Sequence, residues 1–279
     1  MSILKTILSY FTIVIISFTS IICPTPESTE TAEITNEFSY ALVGAFVTGQ
    51  GLDEDAEYFY SSGSIAAAKL CCLAKIDKAT GEIINQRIDV LPNEFKQKDY
   101  DHIGDISVQN GKIYAPVEGV AGENPFVLIF DAETLEYTGT YFELDAEHLT
   151  TGMPWCATDD SYLYASTFHN PDRIIVYNLS DLSFSHTIVL SQPVERVQAG
   201  DVLNGKLYLN CDPHEGNKTV YEVNIETGET KLLFDRKTTG FETETEGLCA
   251  ELDNNSSLTF HIADYNKIVS TFIRTYKVK

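Results

Sequence analysis

The sequence predicts an all-β protein: a five-bladed β-propeller whose last blade is completed by a strand from near the N-terminus. Three observations predict it. A fivefold imperfect repeat of strands and turns runs from about Gly51 to the C-terminus. The same turn chemistry recurs at one place in each repeat. Finally, the last repeat lacks a strand, while a spare strand precedes the first.

One unit shows the repeat. Gly104-Asp105-Ile106-Ser107-Val108 leads through Gln109-Asn110-Gly111 to Lys112-Ile113-Tyr114-Ala115. Val127 to Asp131 and Tyr137 to Phe142 follow, giving four short strands per unit. A strand-and-turn period of 40–50 residues is the signature of a propeller blade. The second strand carries an aromatic anchor, Tyr60, Tyr114, Tyr164 and Tyr208, with His261 in that place in the last repeat; the intervals are 54, 50, 44 and 53 residues. The third strand ends in a turn former: Asp77 to Gly81, Asp131 to Thr134, Asn178 to Asp181, and Asn224 to Gly228. Asp and Asn bond the local backbone and Gly accepts positive φ, which is hairpin chemistry. The last repeat stops at Ile268 to Tyr276, so a closed ring would expose an edge there. Ile34 to Ala41 fits as the missing outer strand. A six-bladed ring would need a further repeat, and a β-sandwich would have to hold four-strand register through five cycles.

Three segments follow: 1–22 as an export signal, 23–33 as a polar tether and 34–279 as the propeller. Lys5 followed by the uncharged run Ile7 to Ile22 is shorter than a comfortable membrane span and suits a signal peptide. Ile21-Ile22-Cys23 also resembles a lipoprotein signal, though Ile22 stands where a small residue is expected. Either reading places the protein outside the cytoplasm, touching a membrane only through its N-terminus. With 41 Asp and Glu against 19 Lys and Arg, the net charge of −22 repels phosphate backbones and anionic lipid, so nucleic acid is excluded as a partner. A monomer that binds a small molecule or peptide, or a divalent cation, is the expectation. Cys71 and Cys72 are adjacent on one strand and point to opposite faces, Cys156, Cys211 and Cys249 fall in other repeats, and no CxxC pair is present. They read as small buried hydrophobes rather than zinc ligands. Sequons begin at Asn178, Asn217, Asn254 and Asn255, relevant only to a glycosylating pathway.

In a propeller the first strand of each blade lines the central channel, so the strand starts converge at one mouth. They contribute Gln50, His102 with Asp105, Trp155, Gln198 with Asp201, and Glu246 with Glu244. Three roles are open to the acids. Asp105, Asp201 and Glu246 suit Ca²⁺, which takes several oxygen ligands. Asp105 or Glu246 beside His102 suits general acid–base chemistry, with Gln50, Trp155 and Gln198 contacting substrate. All of them equally suit exposed backbone amides. In a regular strand Asp105 would face away from His102, and a bulge at Gly104 would turn it back. Glu118, His169, Asp212, His214 and Asp264 lie at second-strand ends. No GxSxG, phosphate loop or HExxH is present.

The chain resembles the plant and bacterial type of glutaminyl-peptide cyclotransferase. The resemblance rests on Asn36-Glu37-Phe38, on Ala45 to Leu52 with Tyr60 to Gly63, and on the Thr80-Gly81-Glu82 turn; Ala157-Thr158-Asp159 and Leu203 to Tyr208 continue it. It implies a secreted five-bladed propeller that cyclises N-terminal glutamine at the channel mouth, using a Gln, a Glu and a tryptophan cage. Gln50 matches the first. Gly104 stands in the acid's place with Asp105 one position later, and Trp155 lies one place off the family's tryptophan. Glu246-Gly247-Leu248 gives a looser likeness to six-bladed lactonase and phytase-like propellers. The expectation is therefore an exported ligand-binding propeller with an acidic mouth, with a cyclotransferase-like enzyme or metal-assisted hydrolase as the alternative.

Overall fold

The computed structural model describes residues 27–65, 68–118, 124–145, 147–149, 152–214, 216–237, 243–266 and 270–279. The export and lipidation readings, Cys23 included, lie outside these residues. Five small antiparallel sheets form a ring of five blades. The first blade is β2 (Leu52–Glu54), β3 (Tyr58–Ile65), β4 (Leu70–Asp77) and β5 (Ile83–Ile88). In the second the inner strand is split into β6 (His102–Ile103) and β7 (Ser107–Gln109); β8 (Lys112–Glu118), β9 (Phe126–Asp131) and β10 (Tyr137–Glu143) follow. The third comprises β11 (Cys156–Thr158), β12 (Tyr162–Ala165), β13 (Arg173–Asn178) and β14 (Phe184–Val189). The fourth comprises β15 (Val197–Leu203), β16 (Lys206–Cys211), β17 (Lys218–Asn224) and β18 (Thr230–Arg236). In the fifth, β19 (Thr243–Leu252), β20 (Leu258–Asn266) and β21 (Ser270–Val278) are completed by β1 (Ala32–Ala41).

The closing strand pairs as the sequence predicts. Phe38 lies opposite Ile273 and Ser39 opposite Phe272. It begins at Ala32, inside the segment read as tether, and the chain is held even earlier, because the Thr29 and Glu30 N–H groups donate to Leu232 and Leu233 carbonyls at 3.1 and 2.8 Å. Between β1 and β2 the helix α1 (Val43–Val47) buries Ala45 and Val47 against the first blade. A second short helix, α2 (Asn93–Lys96), inserts Phe95 between the first two blades.

The core is divided among the interfaces between blades. Cys71, Ile103 and Phe130 pack between the first and second blades, Met153, Leu163 and Val127 between the second and third, and Trp155, Val176 and Leu209 between the third and fourth. Phe234 and Phe260 fill the next interface, and Leu52, Phe59 and Ala263 fill the closing seam. Cys71, Cys72, Cys156, Cys211 and Cys249 are all buried and unpaired within these layers.

The third-to-fourth-strand turns are built as their sequences suggest. Asp77 Oδ1 accepts the N–H groups of Ala79 and Thr80 at 3.0 and 2.8 Å, and Gly81 closes the turn at φ 74°. Asn224 and Gly228 repeat the pattern. Leu135 and Leu182 occupy the Gly81 position in two blades at φ 58° and 49°. Both side chains are buried, and that burial offsets the strain of left-handed backbone.

Neighbouring inner strands are pegged together. The anchors Tyr60, Tyr114, Tyr164, Tyr208 and His261 lie opposite Asp53, Ser107, Ala157, Asp201 and Cys249. These five inner positions are therefore equivalent. At three of them a side-chain oxygen accepts the N–H of the next blade: Asp53 from Val108, Ser107 from Thr158 at 3.0 Å, and Asp201 from Ala250 at 2.7 Å.

Candidate functional site at the channel mouth

The inner-strand register sorts the predicted site residues by depth. Three residues before the equivalent positions, at the upper mouth where the inner strands begin, stand Gln50, Gly104, Pro154, Gln198 and Glu246. The ladders are irregular at this level in at least three blades. The fourth-blade register shifts between Val197 and Ala199, and the fifth between Thr245 and Leu248. In the second, Ile103 faces Val117 but Ser107 faces Tyr114, so one extra residue lies between. Bulges of this kind re-aim side chains next to sites. Gly104 is required here because a Cβ would stand 1.9 Å from the Pro154 carbonyl oxygen.

Glu246 is the distinctive member of this ring. It is 6% exposed, and among the described residues its carboxyl meets no hydrogen bond or ion pair. Burial pushes its pKa well above the ordinary carboxyl value, and Glu244 and Asp264 add to the rise; Lys218 and Arg196 oppose it. The backbone of this segment is tied to the first blade, where the Gly247 N–H donates to the Gln50 carbonyl at 2.6 Å. The Gln50 amide turns back onto the Gly49 carbonyl at 3.0 Å. Two residues further out stand His102, Arg196 and Glu244. Burial lowers the His102 pKa and keeps its ring neutral, against the pull of Asp101. Glu118, opposite His102 in the ladder, is pushed up to about 7 by burial even though the Met153 N–H bonds it.

Asp105 and Trp155 lie one step deeper and touch through a parallel bridge. Asp105 is 2% exposed and spans the axis: one oxygen accepts the Leu52 N–H from the first blade at 2.8 Å, the other the Gly200 N–H from the fourth at 3.1 Å. Burial still raises its pKa well above normal, with Asp53 and Asp201 contributing. Trp155 is fully buried in the wall between the third and fourth blades. Its indole N–H donates to Ser166 Oγ at 3.0 Å, and its ring lies where a Gly200 side chain would stand.

Asp201 belongs to the other end of the channel. Its carboxylate accepts the Val202 and Ala250 N–H groups, both at 2.7 Å, and it lines a cavity of about 350 Å³ at the lower mouth with Asp53, Glu54 and Glu251. Three register positions separate it from Glu246, about 10 Å along a strand. The structure thus gathers Gln50, Gln198, Glu246 and His102 at the upper mouth, and sets Asp105, Trp155 and Asp201 at other depths.

Sequence reasoning missed the cations beside Glu246. Arg196 Nε donates to the Asp212 carbonyl at 2.6 Å and Lys218 bonds the Asp212 carboxylate, so loop residues from two strand ends hold positive charge at the mouth. Arg196 stands two residues before Gln198 in the sequence, but nothing in the linear pattern brings Lys218 to it. The cluster of Glu54, Lys78, Glu251 and His261 at the lower mouth was also missed; its members belong to the first and last repeats and meet only because the ring closes.

No protein-family model and no curated protein sequence matches this chain. Among solved structures, the glutaminyl cyclase of Myxococcus xanthus aligns with a TM-score of 0.62 and 13% identity, covering 90% of this chain and 98% of that one. Hydrazine synthase of Kuenenia stuttgartiensis aligns at a TM-score of 0.41 and 11% identity, covering 80% of this chain and 60% of that one. At such identities the first likeness is one of architecture: the chain is a five-bladed β-propeller similar in fold to a bacterial glutaminyl cyclase.

Proposed function

We propose that the protein is an exported, monomeric propeller that binds a small molecule or peptide at its upper mouth, with Glu246 as the group that meets the ligand's positive or N–H-bearing end. The observation that carries this reading is the Glu246 carboxyl, nine-tenths buried and met by no partner among the described residues. Burial and the neighbouring Glu244 raise the pKa of this carboxyl, and a titratable group so perturbed in a cleft is a candidate for binding or reaction. Gln50 and Gln198 at the same level supply amide donors and acceptors. The test is calorimetric titration with a short peptide bearing a free N-terminal amine and with its acetylated form. Binding of the first, reduced at least tenfold by acetylation or by Glu246→Gln, supports the reading. Equal affinity for both peptides, or none for either, overturns it.

Ca²⁺ on Asp105, Asp201 and Glu246 is the weaker form of this proposal, because both aspartates already accept two backbone N–H groups and the three residues stand at different depths. A chelator-treated sample whose melting midpoint rises on adding Ca²⁺, and does not rise in Glu246→Gln, would favour it. A metal bound only by the folded state at a hundredfold excess over its dissociation constant adds about 2.7 kcal/mol.

The second reading is a cyclotransferase-like enzyme. Its support is two carboxyls at the mouth whose pKa burial raises, Glu118 to about 7 and Glu246 well above the ordinary carboxyl value; Glu118 lies opposite His102, a pairing suited to general acid–base work. An N-terminal glutamine would attack its own side-chain carboxamide carbon, and the amine's proton would pass to the departing ammonia. Ammonia release from a glutamine-initiated peptide, lost in Glu246→Gln, supports this reading; binding without release leaves the first.

A further inference from the structure

We propose that Glu54, Glu251 and His261 form a transition-metal site at the lower mouth, suited to Zn²⁺, with Lys78 as a built-in competitor for the same place. Their ligand atoms all lie within 4.8 Å of one another. His261 Nε2 is 3.1 Å from Glu251 Oε1 and 3.7 Å from Glu54 Oε2. Tetrahedral Zn²⁺ with bonds of about 2.1 Å sets its donors about 3.4 Å apart, so this spacing needs little adjustment.

The histidine is oriented for the task. Its Nδ1 lies 2.9 Å from Thr275 Oγ1, and the Phe59 ring packs edge-on at 4.7 Å, which leaves Nε2 facing the two carboxylates. A hydrogen bond to the second ring nitrogen is how proteins fix a metal-binding imidazole. The Glu54 side chain is 10% exposed, and its buried Oε2 accepts no hydrogen bond. Lys78 Nζ lies 2.8 Å from it as an ion-pair contact and 2.9 Å from Glu251 Oε2, where it donates a hydrogen bond.

Two carboxylates against one ammonium leave a negative excess that a divalent ion would neutralise. Lys78, Glu54 and Glu251 also border the 350 Å³ cavity, together with Asp53, Asp55 and Asp201. The flexible Lys78 chain has room to swing into that space, and the cavity supplies an open fourth position on the metal. An imidazole among the donors favours Zn²⁺ over Ca²⁺. Because Glu54 belongs to the first blade and Glu251 and His261 to the fifth, the ion would clip the closing seam. The site stands apart from Glu246, on the far side of Asp105.

The experiment is calorimetric titration of metal-stripped protein with ZnCl₂, repeated with CaCl₂, alongside visible absorption of the Co²⁺ form. Saturable binding of one Zn²⁺ per chain is expected, with tetrahedral d–d bands for Co²⁺ and no comparable Ca²⁺ affinity at this site. His261→Ala should weaken Zn²⁺ binding at least tenfold, Lys78→Met should tighten it at least tenfold, and Glu246→Gln should leave it unchanged. Absence of saturable Zn²⁺ binding in both the natural protein and the folded Lys78→Met variant overturns the proposal. So does Zn²⁺ binding that survives His261→Ala. Loss of binding in Glu246→Gln alone would move the metal to the upper mouth and equally reject this site.

Discussion

Asp264 and Arg236 face each other as a two-pronged pair inside the wall between the fourth and fifth blades. The terminal nitrogens of Arg236 each lie 2.8 Å from a different oxygen of Asp264, and Asp264 is wholly buried. Arg274 adds a third bond at 2.7 Å and is itself held by Glu37 of the closing strand at 2.6 Å. Removing the acid strands two buried guanidinium groups. Asp264→Ala should therefore lose about 3–5 kcal/mol in denaturant unfolding, whereas Glu37→Ala, losing a half-exposed partner, should lose about 1 kcal/mol or less.

Stability should be greatest at mildly acidic pH. Glu118 and Asp201, both pushed up to about 7 by burial, and Asp105 and Glu246, raised for the same reason, bind protons more tightly folded than unfolded. For Glu118 and Asp201 the unfavourable ionisation grows as pH rises from about 4, the unfolded value, through about 7, and Asp105 and Glu246 act in the same direction. Glu251 and Asp253 act oppositely. Hydrogen bonds from His261 and Lys277 respectively hold each at about 2, so the stability they add above about 4 is lost as pH falls toward 2. Midpoints of urea unfolding measured from pH 3 to 9 should peak near pH 5, and a peak above pH 7 would contradict the assignment.

Glu246→Gln should raise the unfolding midpoint at pH 7 to 8 while weakening the upper-mouth ligand. The substitution removes a carboxyl that must either ionise in a buried place or hold a proton. Groups kept for function at a cost in stability behave this way. A midpoint that falls would mean that Glu246 has a structural partner.

Gly104→Ala and Gly139→Ala should separate two kinds of glycine. At Gly104 the added carbon meets the Pro154 carbonyl at 1.9 Å, a backbone atom that can yield only by separating the second and third blades. A loss of about 3 kcal/mol or more is expected. Gly139 has φ 83° but open space around it, so only backbone strain applies, about 1–2 kcal/mol. Thermal melts of the two variants decide the order.

The blade count and the closing strand were legible because they rest on spacing. Tyr60, Tyr114, Tyr164, Tyr208 and His261 occupy equivalent ladder positions as their intervals imply. Part of the upper mouth was legible for a related reason: Gln50, Gln198 and Glu246 each stand three residues before the inner-strand residue that faces the anchor, so the repeat spacing sets them at one level. Depth along the channel was harder to read. Asp201 and Glu246 look alike in sequence, but a few register positions put them at opposite mouths. Trp155 is hidden because its ring takes the space that Gly200 leaves, and Gly200 belongs to a different repeat. Lys78 reaches Glu251 only after the first and last blades meet.

The pairing of β1 with β21 also orders events in time. Phe38 is synthesised before the four blades that separate it from Ile273, so the earlier strand has no permanent neighbour until β21 has emerged. Until then Arg274 and Glu37 cannot meet, and the partial ring keeps an open flank. A chain interrupted before β21 would be left with an unsealed sheet edge, the form of this protein most exposed to aggregation and proteolysis.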